Sequence, residues 1–585
     1  MKTQNIINKG LVGAAALLMS AGAISCNDML DTKPQGVILA EQMGEEQTYQ
    51  LLISAYSTLT NHYFGNNESF AGPINNWVID LRSDDALKGG GDITMESYMH
   101  DMEVGNIQNN SAIVSFKWKN NYFSISRCNT AIKAIKEAGN LSEETKASQI
   151  AEMKTLRAYY YFDMLRLYKE FPYFTEETSD PGSVRADEYT KAEIAEFIKE
   201  DLRESYKFLP ESQAEVGRFN KFVAAAILAR VDLFTATSEY TSNVAAVWAE
   251  VEQYCDYVIN SGKYGLFSRF QDISKPEMNN GPESVFAVQF SLANFPSQTN
   301  YNNCLNCTYS EGNLYGSGDD FYLGSQDLAN AFRTNENGLP YVAGVTEAYA
   351  DNDIIGRLDG EEELLPLYSG PTDPRFDLTF GRIGMYWRAD YAHMDIYNQN
   401  WCRNYSLYGQ FSGKKPYPAY YNPEVHPGEV PWGASSLNYI IIRYADILLM
   451  KAEALVEQGG SRAAEAIALV NQVRKRAADS VDPNYTPMDL NPALVTYKVE
   501  QYPLTGWNQN NARAAVRAER RLEFALEGLR WFDLVRWGEA VSTVNAYYKY
   551  ETQFQPYYAT ANLTNDELYL PIPLDQVDNA GDLYK

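Results

Sequence analysis

Long segments with helical periodicity lie toward both ends of the chain and favour a mainly α-helical fold. The segment "EEQTYQLLISAYSTLT" (residues 45–60) places four apolar residues on one helical face, namely Leu52, Ala55, Tyr56 and Leu59. Further helices are predicted near residues 115–138, 143–169, 190–209, 219–239, 246–261, 439–458, 461–478, 511–527 and 529–542. Because they follow one another in pairs with short breaks, we expect helical hairpins stacked like tetratricopeptide units, although the usual repeat signature is absent.

A loop-rich segment separates the two helical parts. Residues 262–438 are rich in Gly, Pro, Asn, Asp and Tyr, as in "PSQTNYNNCLNCTYSEGNLYGSGDD" (296–320), which is a turn and loop composition. Long loops on a rigid scaffold commonly carry function. The sequence therefore predicts an N-terminal helical part (26–261), a loop-rich ligand-binding region (262–438) and a C-terminal helical part (439–585).

The first 25 residues have the layout of a lipoprotein signal peptide. Lys2 and Lys9 precede the apolar run "GLVGAAALLMSAGAI" (10–24), which is too short and too rich in Gly and Ala for a comfortable membrane span. The sequence "AISC" (23–26) resembles a bacterial lipobox, in which the cysteine is acylated and becomes the new N-terminus. We therefore expect cleavage after residue 25 and lipid anchoring through Cys26, with acyl chains such as palmitate; a cysteine there by chance is the alternative.

The composition limits the classes of molecule that the chain can bind. The formal charge of −27 opposes binding to nucleic acid and to anionic lipid headgroups. Aromatic residues make up 13% of the chain, and 43 Tyr outnumber 25 Phe. Tyr and Trp combine a flat apolar face with a polar tip, which complements a sugar ring with C–H groups on its faces and hydroxyls at its edge.

The remaining cysteines do not form a complete disulfide framework, because the five after Cys26 are an odd number. The pair "CLNC" forms either a short-loop disulfide between Cys304 and Cys307 or two free thiols. A zinc site there is disfavoured, since no second cysteine pair or nearby histidine accompanies it.

The sequence carries no catalytic motif of the common kinds. Its four histidines are scattered without "HExxH", and neither "GxSxG" nor a Walker-type phosphate loop is present. A glycosidase pair among the 76 carboxylates stays open, because three-dimensional separation rather than sequence spacing defines such a pair.

One acidic segment resembles a calcium loop. In "DNDIIGRLDGEE" (351–362), acidic residues occupy four positions of the EF-hand pattern: Asp351, Asp353, Asp359 and Glu362. Position five is Ile355, which offers no side-chain oxygen. An ordinary acidic loop is the alternative, and no other cofactor is expected.

The segment "RAERRLEFALEGLRWFDLVRWG" (517–538) carries opposite charges at helical spacing: Arg520, Glu523, Glu527, Arg530, Asp533 and Arg536. On a continuous helix these side chains would form a ladder along one stripe. A catalytic use of its carboxylates is one interpretation, and the favoured one is a structural ion network that locks two helices together.

Several motifs in this order resemble the SusD/RagB family of outer-membrane lipoproteins. They are "CNDMLDTKP" after the lipobox, "GRFNKFVAAAILARVDLF" (217–234), "DPRFD" (373–377), "RYADILLMKAEAL" (443–455), "VRKRAA" (473–478), "ERRLEFALEGLRWFDLVRWG" (519–538) and "LYLPIPLDQV" (568–577). The resemblance implies a SusD-like fold, in which a tetratricopeptide-like helical scaffold carries an irregular region with the binding loops.

The resemblance also implies a function. Such proteins sit on the outer face of the outer membrane, cap a SusC-like TonB-dependent transporter and bind nutrient, usually a glycan, without catalysis. Peptide capture in the same kind of import complex, as in the RagB branch, is one alternative. A surface glycoside hydrolase is the alternative from the enzyme class.

Ligand-binding residues vary within this family, so candidates are chosen by position and residue type. The first group lies in and after "PINNWVIDLRSDD" and comprises Asn76, Trp77, Arg82 and Tyr98. The second lies in the long loop before "SQDLANAF" and comprises Tyr309, Tyr315 and Tyr322. Stacking on the aromatic rings and hydrogen bonds from planar groups such as Arg82 would hold a sugar, whereas ordinary packing under a loop is the alternative for each aromatic.

Overall fold

The structure is mainly α-helical, as the periodicity predicted. The computed structural model describes residues 42–60, 72–293, 306–309, 318–346, 368, 370–390, 393–419, 422–426, 434–481 and 490–584. Within these ranges there are seventeen α-helices and eight short strands. None of these helices is both long enough and apolar enough to cross a membrane.

The N-terminal half is built from helices that pack in chain order. They are α1 (Glu45–Tyr56), α2 (Trp77–Asp80), α3 (Ser97–Glu103), α4 (Ala112–Glu137), α5 (Glu143–Leu167), α6 (Lys191–Phe208), α7 (Lys221–Thr235) and α8 (Val244–Asn260). From α4 to α8 each helix packs against the next, which gives the expected stack of helical hairpins. Polar caps set several starts: Thr190 and Glu193 form a capping box at α6, and Asn220 accepts two backbone N–H bonds at α7.

The C-terminal half continues this stack. It contains α9 (Gln326–Ala331), α10 (Arg375–Thr379), α11 (Tyr405–Tyr408), α12 (Tyr444–Gln458), α13 (Ala463–Asp479), α14 (Gln509–Glu523), α15 (Arg530–Arg536), α16 (Ala540–Glu551) and α17 (Leu574–Ala580). Helix α12 packs on α8 of the first half and on α13 and α14 of its own half. A main apolar core therefore runs between the halves, and a smaller one lies among α12, α13 and α14.

Short antiparallel strand pairs connect the loop-rich segment to both halves. The strands are β1 (Ala86–Gly89), β2 (Ser284–Val288), β3 (Phe321–Gly324), β4 (Tyr386–Asp390), β5 (His393–Ile396), β6 (Val425–His426), β7 (Ala434–Ser435) and β8 (Tyr439–Arg443). β1 pairs with β3, and β2 pairs with β8. The segment therefore shares its hydrogen bonding with the helical scaffold at two places.

The charged ladder expected along one continuous helix is broken. Helix α14 ends at Glu523, and Leu526 and Gly528 have φ angles of 56° and 73°, which no α-helix accommodates. The opposite charges still form a buried network, because Glu523 accepts hydrogen bonds from Arg375, Arg443 and Arg476. Burial opposes the charge of Glu523, but these arginines together hold the pKa of its carboxyl well below its usual range. The structural interpretation of the charges is confirmed, with contacts to other elements replacing the ladder.

Candidate functional site

A tight loop leaves β1 and forms the first wall of the candidate site. Gly89 and Gly90 have φ angles of 77° and 80°, a region that glycine adopts without strain. A Cβ atom on Gly89 would overlap the carbonyl oxygen of Asp320, which accepts a hydrogen bond from the Gly90 N–H at 3.0 Å. The two glycines therefore let the loop press against the chain just before β3.

Hydrogen bonds hold the same loop although its tip is exposed. The Oδ1 atom of Asp92 accepts hydrogen bonds from the N–H and O–H of Thr94, both at 2.7 Å, and from the N–H of Met95 at 3.1 Å. These bonds lower the pKa of the Asp92 carboxyl. From below, the buried Lys88 ammonium donates to the carbonyl oxygens of Asp92 and Met95. The loop is thus supported by its own hydrogen bonds and by Lys88.

Arg403 and Tyr309 form the second wall. The Tyr309 ring is 45% exposed, and the Arg403 guanidinium carbon lies 5.0 Å from the centre of that ring. Arg403 is ion-paired with Asp319, and the adjacent Asn404 donates to the carbonyl oxygen of Gly91 at 2.7 Å. The two walls are therefore in contact. We call residues 91–96 with Tyr98, Tyr309, Asp319 and Arg403 the Tyr309 surface.

A buried carboxyl fixes the position of Arg403. The Oδ2 atom of Asp320 accepts the backbone N–H of Arg403 at 3.0 Å, and its Oδ1 atom accepts the Ser412 hydroxyl at 2.6 Å. The Ser412 hydroxyl in turn lies 2.7 Å from the Tyr397 hydroxyl. Burial raises the pKa of Asp320 to about 7, although both hydrogen bonds oppose the rise.

Tyr98 and Asp319 complete the surface at its acidic side. Tyr98 is half-buried, and burial followed by its hydrogen bond to Glu96 raises the pKa of its phenol. Burial also raises the pKa of Asp319, with Arg403 opposing the rise and the charge of Glu96 adding to it. The surface therefore presents one accessible aromatic ring beside a planar donor and several carboxylate acceptors.

Four of the predicted ligand-binding residues lie in the protein core. Trp77 and Tyr322 are each 4% exposed, and their ring centres are 5.6 Å apart. Tyr322 donates its hydroxyl to Asp80 at 2.7 Å. Rings buried in this way have no face left for a sugar, so Trp77 and Tyr322 are corrected to scaffold residues.

Asn76 and Arg82 are corrected in the same way. The Oδ1 atom of Asn76 accepts a hydrogen bond from the buried Lys117 ammonium at 3.0 Å. The Arg82 guanidinium lies 3.9 Å from the ring centre of Trp531 and donates to the carbonyl oxygen of Glu567. Burial lowers the pKa of the Arg82 guanidinium to about 9. These two polar side chains thus connect α2 and the turn after it to other elements rather than to solvent.

The other predictions divide between the Tyr309 surface and the undescribed parts of the chain. Tyr98 and Tyr309 belong to the surface, whereas Tyr315 lies outside the described residues. The calcium-loop candidates Asp351, Asp353, Asp359 and Glu362 also lie outside them, as do Cys26 and Cys304. Lipidation, the disulfide to Cys307 and bound calcium therefore stay predictions.

Sequence reasoning missed Arg403, Asp319 and the loop 91–96. Arg403 lies in "QNWCRNY", which has no pattern that connects it to the glycine-rich loop more than 300 residues earlier. The glycine run in "KGGGD" (88–92) is the sequence signal that could have drawn attention to the loop, and Gly89 and Gly90 do have positive φ angles.

Comparison with known proteins identifies the family of this fold. A family model described as "SusD family" matches residues 282–585, and one described as "Starch-binding associating with outer membrane" matches residues 80–233. The chain is 23% identical to SusD-like protein P25 of Formosa agariphila, over 99% of this chain and 97% of the relative.

Solved structures share the fold. A SusD homolog from Bacteroides thetaiotaomicron aligns with a TM-score of 0.67 at 20% identity, over 91% of this chain and 95% of the other. Surface glycan-binding protein A from the same organism, solved in complex with laminarihexaose, aligns with a TM-score of 0.66 at 19% identity, over 93% and 99% of the two chains. Because the SusD family model covers more than half of the sequence, this protein belongs to the SusD family.

Proposed function

We propose that this protein is a cell-surface lipoprotein that captures a glycan and delivers it to a SusC-like TonB-dependent transporter without catalysis. The observation that carries the proposal is the Tyr309 surface, where an accessible ring lies beside a guanidinium. A sugar face can stack on such a ring while the planar guanidinium donates to ring hydroxyls. The hydrogen bonds that hold the adjacent loop 91–96 would lower the entropy lost on binding.

The relatives support a glycan as the ligand class. Surface glycan-binding protein A, which shares this fold, was solved with laminarihexaose bound. Another structure with the same fold is described as a laminarin-binding SusD-like protein, with a TM-score of 0.62. Both of these ligands are glycans, and the proposal extends only that ligand class to this chain.

The chemistry of the Tyr309 surface supports binding rather than hydrolysis. A glycosidase needs one protonated acid and one free carboxylate facing each other across the scissile bond. Here Asp319 is ion-paired with Arg403, and one oxygen of Asp92 already accepts three hydrogen bonds within its own loop. The third carboxylate of the surface, Glu96, is hydrogen-bonded to Tyr98, so all three are engaged in holding the surface together.

The proposal also includes attachment to the outer membrane and the transporter as the protein partner. The lipobox at Cys26 would anchor the chain to the outer membrane, and the model that matches residues 80–233 is described as associating with that membrane. A stable cap on a transporter would bury on the order of 2,000 Å² or more. The long stack of helices offers a surface large enough for such an interface.

A binding screen tests the proposal. The lipid-free chain from residue 27 onward would be titrated by calorimetry with plant, fungal and host polysaccharides, and with a peptide mixture. The variant Tyr309→Ala removes the accessible ring, and Phe208→Ala removes a ring that is 51% exposed at the end of α6. We expect one glycan class to bind wild type and Phe208→Ala equally, and Tyr309→Ala more weakly.

Three outcomes would contradict the proposal. Binding of peptides but of no glycan would favour the RagB-like alternative. Release of reducing ends from the bound polysaccharide would favour a glycoside hydrolase. Equal glycan affinity of wild type and Tyr309→Ala would remove the Tyr309 surface as the binding site.

A further inference from the structure

A cavity lies between α14 and residues 340–343. Its volume is about 570 Å³, within the usual range for small-ligand sites. Four arginines contribute to its walls, Arg513, Arg517 and Arg521 from α14 and Arg530 from the start of α15, together with Trp537. We call this the arginine cavity. It is separate from the Tyr309 surface, so a ligand held there would be additional to the glycan of the proposed function.

Helix geometry explains why the arginines meet. Arg513, Arg517 and Arg521 are spaced four residues apart, so their side chains follow one face of α14. The facing wall comes from residues 340–343, which include Tyr341, and small residues such as Ala514 and Ala518 leave the space between the walls open.

Carboxylates hold the guanidinium groups but leave donors unused. Arg530 donates Nε and Nη2 to Asp84, both at 2.8 Å. Arg521 donates Nε to Asp85 and Nη2 to Asp327, both at 2.7 Å. Among the described residues, no acceptor takes Nη1 of either arginine. These nitrogens are the donors available to a ligand in the cavity.

Arg517 adds further unused donors. Its Nη1 donates to Glu539, the one carboxylate among the described residues that line the cavity. Its Nε is buried without a hydrogen-bond partner in the described structure. Burial lowers the pKa of this guanidinium, and the charges of Glu453, Glu539 and Glu457 do not offset that effect. The buried Nε is closed to solvent, whereas Nη2 of Arg517 has no acceptor among the described residues and is the donor that an anion in the cavity could reach.

The ring of Trp537 is already covered by cations. The guanidinium carbons of Arg517, Arg536 and Arg530 lie 4.6, 5.0 and 5.9 Å from its centre. These three cations occupy ring surface that a stacked neutral sugar would need. The cavity favours a ligand that is held by charge-assisted hydrogen bonds.

We propose that the arginine cavity binds the carboxylate or sulfate group of a small anionic ligand, such as an acidic sugar. Planar donors from Arg517, Arg521 and Arg530 match the oxygens of such groups. The whole chain has a formal charge of −27, so long-range attraction does not bring the anion in. Instead, the hydrogen-bond donors inside the cavity hold the anion. Binding is therefore selective for the charged group.

The test titrates the lipid-free chain with four probes at low ionic strength: glucuronate, glucose 6-sulfate, sodium sulfate and glucose. Arg517→Gln removes the central guanidinium. Ala514→Glu places a competing carboxylate in the cavity without removing any native ion pair, and Ala514→Gln is its uncharged match. Arg462→Gln is the control, because Arg462 also pairs with a carboxylate, Glu252, but lies outside the cavity. Thermal melts show whether each variant is folded.

We expect wild type to bind glucuronate and glucose 6-sulfate but not glucose. Arg517→Gln and Ala514→Glu should weaken this binding about tenfold or more, since charge-assisted hydrogen bonds are lost or occupied. Ala514→Gln and Arg462→Gln should retain it. Competition by sodium sulfate would show that the anionic group itself is recognised. If sodium sulfate did not compete, the sugar would also contribute to the binding of the anionic sugars. Equal binding of glucose, no binding of either anionic sugar, or undiminished binding in both Arg517→Gln and Ala514→Glu would overturn the proposal.

Discussion

Arg403 is the residue on which the geometry of the Tyr309 surface depends most. Its side chain contacts the Tyr309 ring and pairs with Asp319, while its backbone N–H is held by Asp320. A lysine would keep the positive charge but would lose the planar fork that donates two parallel hydrogen bonds. The planar shape of the guanidinium, in addition to its charge, would therefore determine how Arg403 donates hydrogen bonds to a sugar hydroxyl.

The first prediction follows from that shape. We expect Arg403→Lys to weaken glycan binding by about 1 kcal/mol, or roughly fivefold, because one or two hydrogen bonds are lost. The melting temperature should change little, since lysine keeps the charge that pairs with Asp319 and the backbone bond to Asp320 remains. Calorimetry with the glycan found in the screen provides the measurement. Unchanged affinity together with an unchanged melt would mean that Arg403 does not contact the ligand.

The second prediction concerns the buried carboxyl of Asp320. Its pKa rises from 3.8 to about 7 in the folded protein, so between these values the folded state keeps a proton that the unfolded state releases. The free energy of unfolding therefore falls as the pH rises through this window, by roughly 1.4 kcal/mol per pH unit from this group. In Asp320→Asn this contribution is absent, so the decline between pH 4.5 and 6.5 should be shallower than in wild type.

Urea denaturation at pH 4.5, 5.5 and 6.5 measures that slope. The control is Asp187→Asn, because Asp187 is exposed, pairs with Arg185 and has a lowered pKa. It is ionised in both states across the window and should leave the slope unchanged. Parallel stability profiles for Asp320→Asn and wild type would show that Asp320 does not titrate in this range.

Burial, more than residue type, separates the predicted site residues that lie on the surface from those that do not. Trp77 and Tyr309 are both aromatic residues in or near loops, and nothing in their local sequence distinguishes them. Trp77 packs on Tyr322, which comes from a strand about 245 positions later, and that contact is set by tertiary structure. Residue type therefore selects only candidates, and the non-local packing that decides which of them are exposed cannot be read from it.

At the scale of elements, the loop after β1 joins the scaffold to the Tyr309 surface. Its conformation depends on Gly89, which has a positive φ angle and contacts the chain before β3. A side chain there adds two costs, the strained backbone and the steric overlap. A second glycine, Gly262, has a φ angle of 65° but no atom within 4 Å of the position of a Cβ. It therefore isolates the cost of the backbone alone.

The third prediction compares these glycines. We expect Gly262→Ala to lower the free energy of unfolding by about 1 kcal/mol, from the left-handed backbone. Gly89→Ala should lower it by about 3 kcal/mol or more, because overpacking is added, and should also weaken glycan binding. Denaturation and calorimetry on both variants provide the measurements. Equal losses of stability would show that the loop moves away from Asp320 without cost.

The buried ion network joins elements that are distant in sequence. Glu523 at the end of α14 meets Arg443 from β8, Arg476 from α13 and Arg375 from α10. Desolvated charges of this kind add little net stability when all are paired, but the loss of one partner leaves the others uncompensated. The network therefore sets how the C-terminal helices fit together.

The fourth prediction tests that network. Glu523→Gln should lower the free energy of unfolding by about 3–5 kcal/mol, because three buried guanidinium groups lose their shared anion. Glu196→Gln, which removes an ion pair with Arg203 on the exposed side of α6, should cost less than about 1 kcal/mol. Urea denaturation at pH 7 compares them. A small effect for Glu523→Gln would mean that water or other carboxylates, such as Glu283, replace it.

Helices were predicted well where local periodicity decides them. Those near 143–169 and 190–209 lie within two residues of the observed α5 and α6. The predicted helix 511–527 was too long, because the chain must turn at Leu526 and Gly528 to bring Glu523 and Arg530 to different partners. This break allows ion pairs between distant segments to form. Local periodicity carries no information about such pairs.

For the whole molecule, fold class and charge were accessible from the sequence, and the meeting of distant segments was not. The helical stack follows from period and spacing. In contrast, the Tyr309 surface joins residues 91–98 with residues 309, 319 and 403, and the arginine cavity joins α14 with residues 340–343. Both sites therefore depend on long-range contacts that one sequence without homologues cannot specify.

The fifth prediction concerns how the whole molecule is held at a membrane. Its formal charge of −27 disfavours contact with anionic headgroups, and no described helix can span a bilayer. The proposed acylation of Cys26 would supply the attachment, because each acyl chain would contribute roughly 0.8 kcal/mol per buried methylene. We expect Cys26→Ala to move the chain from the membrane fraction to the soluble fraction, while Ser25→Ala, which keeps the cysteine, remains attached. Fractionation and mass spectrometry of the mature N-terminus provide the measurement. If Cys26→Ala stayed membrane-bound after a high-salt wash, a protein partner such as the transporter would be the dominant attachment instead of the lipid.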